Sequence, residues 1–62
     1  MNNVVRIYIE KDTCDMADLE TELDNRWLDY DFDSGDRLMI SEDDLEDVEN
    51  ILYDLGAEFD VI

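Results

Sequence analysis

The stretch Leu28-Asp29-Tyr30-Asp31-Phe32-Asp33-Ser34-Gly35-Asp36-Arg37-Leu38-Met39-Ile40 decides the fold. Its first six residues alternate strictly between apolar and acidic, the period of a strand with one buried and one wet face. Ser34-Gly35-Asp36 supplies turn chemistry, because glycine and short polar side chains accept the backbone angles of a tight reversal. Arg37-Leu38-Met39-Ile40 returns as the partner strand, so the segment reads as a β-hairpin.

Upstream, Val4-Val5-Arg6-Ile7-Tyr8-Ile9-Glu10 is β-branched and alternating, with Val5, Ile7 and Ile9 on one face. Lys11-Asp12-Thr13 turns the chain, and Thr13 or Asp15 can cap a helix. Met16, Leu19, Leu23 and Trp27 follow at helical spacing, which predicts a helix running to about Trp27. Downstream, Ser41 is an N-cap with Asp44 in a capping-box-like position. Leu45, Val48, Leu52 and Leu55 form the apolar stripe of a second helix, with Ile51 at its margin and Gly56 as terminator. Phe59 and Val61 alternate with Asp60 and Ile62 in a short last strand. The order is β-α-β-β-α-β, which predicts one domain over 1–62 of the α+β class: a ferredoxin-like antiparallel sheet with both helices on one face and its second and fourth strands at the edges.

Twenty of the 62 residues are Asp or Glu, four are Lys or Arg, none is His, and the net charge is −16. Such a balance with few apolar residues signals disorder, but 45% of this chain is hydrophobic and its apolar positions are periodic. A folded domain that carries this much like charge works against its own compactness. A dense, ordered negative array has a familiar counterpart in the nucleic-acid backbone. The expected partner is therefore a protein with a basic nucleic-acid-binding groove, and the chain itself is expected to bind no nucleic acid directly.

Two groups of residues carry that expectation. Asp29, Asp31 and Asp33 sit at alternate strand positions, which would place their carboxylates about 6.8 Å apart on one face. Asp36 follows in the turn. On the second helix Asp43, Glu46, Asp47 and Asp54 project from the exposed side with Tyr53 and Asn50, and Glu42 and Glu49 flank them. Helices usually support Glu with Lys or Arg four residues on. Here no cation occurs in the 25 residues after Arg37. Tyr53, Tyr8 and Met39 are the expected apolar anchors, the last two on the sheet face away from the helices. That face, with Val4 and Ile62, is also a possible homodimer surface.

Other chemistries fit poorly. Asp29 to Asp36 resembles the start of an EF-hand calcium loop, but with Asp29 first the glycine falls at position seven and not six, and Ile40 replaces the bidentate Glu. No dedicated metal site and no cofactor is expected. Nucleophile–His couples and glycine-rich phosphate loops are missing from the sequence, so no enzyme and no catalytic residue is expected. Cys14 cannot close an internal disulfide, and nearby Asp12 and Asp15 disfavour its thiolate. It reads as a small structural residue in a reducing cytoplasm. No apolar run approaches a membrane span, and the N-terminus lacks the pattern of a signal peptide.

In size and charge the whole chain resembles the small acidic DNA-mimic inhibitors of phages and mobile elements, the anti-restriction, anti-CRISPR and uracil-DNA glycosylase inhibitor types. The likeness is of physical type, without a shared motif. It implies an inhibitor whose carboxylates stand where phosphates would stand in the groove of a host DNA-processing or defence enzyme, acting in the host cytoplasm. Two alternatives compete with it. One is an acidic adaptor or antitoxin-like domain that binds a basic protein without mimicry. The other is a halophile's small regulatory domain, which two Ala and no Pro suit less well.

Overall fold

A computed structural model describes residues 3–62; Met1 and Asn2, with the signal-peptide reading that begins on them, lie outside the described residues. The chain forms β1 (Val4–Ile9), a 3-10 turn (Lys11–Thr13), α1 (Met16–Asn25), β2 (Tyr30–Ser34), β3 (Arg37–Ser41), a second 3-10 turn (Glu42–Asp44), α2 (Leu45–Asp54) and β4 (Phe59–Val61). The strands make one antiparallel sheet in the order β2-β3-β1-β4, which leaves β2 and β4 as the edges.

Alternation along the strands sets the two faces. Ile7 and Ile9 of β1 and Leu38 and Ile40 of β3 point inward and are buried. They meet Leu19 and Leu23 of α1 and Val48, Ile51 and Leu52 of α2, with Cys14 beside them, in a single core cluster. Both helices therefore cover the same sheet face. Tyr30, Phe32, Phe59, Leu45 and Leu55 pack around its rim. The other face is open. Its register places Met39 between Arg6 and Asp31, and Tyr8 between Arg37 and Asp60.

The caps explain where the helices begin and end. Asp15 is the N-cap of α1, its carboxylate accepting from the Ala17 N–H at 2.9 Å. Thr13, the other candidate, instead ties the first turn to the approach of β4: its hydroxyl donates to the Glu10 carbonyl and accepts from the Glu58 N–H. Both helices stop in a Schellman motif. At the end of α2, Ala57 N–H donates to Leu52 O and Gly56 N–H to Tyr53 O, with Gly56 left-handed at φ 73°. At the end of α1, Leu28 N–H donates to Leu23 O and Trp27 N–H to Asp24 O, with Trp27 in the left-handed position at φ 58°.

That last detail corrects the expected apolar stripe. α1 ends at Asn25, and Trp27 is 93% exposed, outside the core. Position 27 keeps the spacing, but the reversed backbone sign swings the indole off the helical face. Ile51, expected at the margin of α2, is instead fully in the core. Ser41 caps the 3-10 turn, accepting from the Asp43 N–H at 3.4 Å; α2 itself has Asp44 as its N-cap residue, with no side-chain capping bond. The expected capping box with Asp44 does not form. A 3-10 turn spends fewer residues per turn, so Asp44 is displaced from the place where it could reach back.

Candidate anionic interface

No carboxylate is buried. Sixteen of the twenty are exposed and Glu22, Asp36, Asp44 and Glu49 are half-buried. What the fold distributes unevenly is the cations. α1, the second 3-10 turn and α2 together hold eleven carboxylates and no Lys or Arg. Arg6 and Arg37 lie on the open sheet face, Arg26 is the C-cap of α1, and Lys11 belongs to the first 3-10 turn.

The two expected groups of site residues separate. α1 forms a groove with β2, lined by Met16, Glu20, Phe32, Ser34 and Gly35. α2 forms a groove with β4, lined in part by Glu49, Tyr53, Phe59 and Val61. The hairpin acids thus lie beside α1 at one sheet edge, and Glu46, Asp47, Tyr53 and Asp54 lie on the helix nearer the other. At one end of the sheet Asp29 and Asp31 share a shallow depression with Val4 and Ser41, just before Glu42 and Asp43 in the chain.

The evenly spaced row on β2 does not survive either. β2 begins at Tyr30, so Asp29 precedes it. Phe32 pairs with Leu38 and Ser34 with Arg37, which leaves Asp33 as the extra residue of a bulge. Asp31 turns its carboxylate back to accept from the Phe32 N–H at 2.9 Å. Asp36 accepts from the Ser34 hydroxyl within the turn at 2.9 Å. The bulge and the Asp31 contact blunt the β2 edge against pairing with another strand.

In place of that row the fold builds a seam between the helices, which pack against each other in the core. Glu20 looks toward β2, so the opposite flank of α1, carrying Asp18 and Glu22, turns toward α2. Glu49 looks toward β4, so the opposite flank of α2, carrying Asp47 and Asp54, turns toward α1. Neither helix carries a cation to offset these flanks. Asp24 and Asp54 also occupy the last turns, where the helix dipole disfavours a carboxylate. Asp18 and Glu22 were not among the expected site residues. Their signal was the i, i+4 spacing on a helix without a cation, which takes on meaning once α2 is known to lie beside it.

Aromatic groups border the acids. Tyr53 is 68% exposed and rests edge-on against Phe59, ring centroids 5.2 Å apart. The Tyr30 hydroxyl donates to Asp24 at 3.2 Å, joining the end of α1 to the start of β2. Partial burial, together with that negatively charged acceptor, raises its pKa. On the open face the Tyr8 hydroxyl donates to Glu10 at 3.0 Å, and this bond chiefly raises its pKa. Burial lifts the Cys14 thiol, with Asp15 and Asp18 adding to it, so the thiolate is suppressed at neutral pH. Among the described residues, no three His, Cys, Asp or Glu are grouped to hold a metal ion, and no helix is long and apolar enough to cross a membrane. Comparison with known proteins returns no matching family model, no matching curated protein and no matching solved structure.

Proposed function

We propose that this chain is a nucleic-acid mimic that occupies the basic groove of a nucleic-acid-binding protein and inhibits it, in the manner of phage-encoded inhibitors of host DNA-processing or defence enzymes. The observation that carries the reading is that α1, the second 3-10 turn and α2, packed side by side on one core, hold eleven carboxylates and no Lys or Arg. Self-repulsion among these charges lowers stability, and a cationic surface that meets them relieves it. The strand order and helix placement support assigning the scaffold to the ferredoxin-like class, a rigid frame that holds such charges in place. Complementary fields would steer encounter, and guanidinium groups of the partner would take the carboxylates as they take phosphates.

The test is competition. Tagged protein retains its partner from a lysate at low salt, and the partner is then challenged with duplex DNA, single-stranded DNA and RNA. Release by one of these polynucleotides is expected, as is loss of retention in the triple variant Glu46→Lys, Asp47→Lys, Asp54→Lys. Retention that persists under excess polynucleotide refutes mimicry and leaves an adaptor. A second reading, a homodimer through the open sheet face, is favoured by Val4 and Ile62, 66% and 63% exposed. On the same face Arg6 and Arg37 stand in strands next to those that carry Asp60 and Asp31. Sedimentation of the isolated chain decides it.

A further inference from the structure

The two edges of the sheet are treated differently. β2 is blunted by a bulge at Asp33 and by the Asp31 carboxylate on the Phe32 N–H. At β4 the ladder can be followed group by group. Glu10 N–H donates to Glu58 O and Ile62 N–H to Arg6 O, with Tyr8 opposite Asp60 between them. In an antiparallel ladder these groups alternate in direction, so the N–H and C=O of Phe59 and Val61 point away from the sheet. Beside this edge runs an open groove of about 400 Å³ between β4 and α2, lined by Glu49, Tyr53, Ala57, Glu58, Phe59, Asp60 and Val61.

We infer that this edge receives an extended segment of a partner protein as a fifth strand, one that alternates cationic and apolar side chains. The backbone of Phe59 and Val61 supplies the pairing. Phe59 and Val61 share the helix side with buried Ile9 and Ile7, so alternate residues of the added strand turn into the groove against Phe59, Val61 and Tyr53. A Lys or Arg stem lying there reaches Glu49 with its charged end. The intervening residues fall on the other face. One of them stands opposite Asp60 in a non-hydrogen-bonded pair, where side chains approach most closely.

Charge selects the occupant. A second copy of β4 pairing antiparallel across a two-fold would bring together two edges that each carry Glu58 and Asp60, beside grooves that already hold Glu49. A cationic strand meets those three carboxylates with the opposite sign. This site is distinct from the seam between the helices, so its test stands or falls apart from the mimicry reading.

The probe is a short peptide of alternating lysine and valine, titrated into isotopically labelled protein at low salt, with a twin N-methylated at the amides that face β4. Amide signals of Phe59 and Val61 are expected to shift and their hydrogen exchange to slow, while the methylated twin, with equal charge but no strand pairing, binds about tenfold more weakly or worse. Val61→Pro removes one outward N–H and no bond to β1, and is expected to weaken the parent peptide with the circular dichroism unchanged. Where that variant does not fold, the comparison of the two peptides on the unaltered protein decides. Equal affinity of the twins, or shifts centred on Asp47 and Asp54 in place of β4, overturns the inference.

Discussion

Replacing Trp27 by glycine is expected to stabilise this protein. Both helices end in the same pair of hydrogen bonds, and the residue that must turn left-handed is Gly56 in one and Trp27 in the other. A side chain in that conformation costs about 1–2 kcal/mol, because its Cβ crowds the following carbonyl. Glycine escapes this, but loses about 0.5–1 kcal/mol through its greater freedom in the unfolded chain. The indole is 93% exposed, so removing it forfeits little burial. The balance for Trp27→Gly is a gain of about 0.5–1 kcal/mol, which for a domain this small raises Tm by about 2–8 °C. Gly56→Ala is the mirror experiment. Nothing lies within 4 Å of the added Cβ, so the loss, of similar size, comes from the backbone alone. Thermal unfolding of the two variants beside the parent measures both. A lower Tm for Trp27→Gly refutes the reasoning, since it requires the indole to contribute packing that outweighs the strain.

Urea midpoints are expected to rise between low and moderate salt, as screening over about 8 Å weakens the repulsion around the helices; an unchanged midpoint contradicts the crowding. Asp54→Lys exchanges a repelled charge for an attracted one at the end of α2, and is expected to add about 1 kcal/mol at low salt in urea unfolding while weakening partner retention. The raised pKa values of Cys14, Tyr8 and Tyr30 mean that the fold holds these protons more tightly than the unfolded chain does. Their contribution is complete below the ordinary values of 9.0 and 10.0 and is lost as pH climbs past them, so stability falls in alkali, and less steeply in Tyr30→Phe. Slow reaction of Cys14 with a thiol reagent at neutral pH, becoming fast only in urea, checks its burial.

Much of the scaffold was legible in local pattern. Ile7 and Ile9, Leu38 and Ile40, and Leu19 and Leu23 all announce their inward faces by spacing, because period two and period 3.6 are imposed by the backbone itself. Trp27 was misread because its spacing is helical, whereas its φ is set by the turn that must carry the chain into β2. The bulge at Asp33 was equally hidden. Alternation in Asp29, Asp31 and Asp33 is a property of one strand, and a bulge is a property of two.

The charge, the alternating hairpin, the two amphipathic helices and the glycine stop are determined by the sequence alone, since each depends only on neighbours a few residues away. Which acids confront one another was decided by the tertiary structure. Strand order puts β2 beside α1 and β4 beside α2, so it divides the hairpin acids from those of α2 and leaves Asp18 and Glu22 on the flank of α1 away from β2. Electrostatic interaction depends on distance through space, and distance between remote residues exists only after the chain has packed.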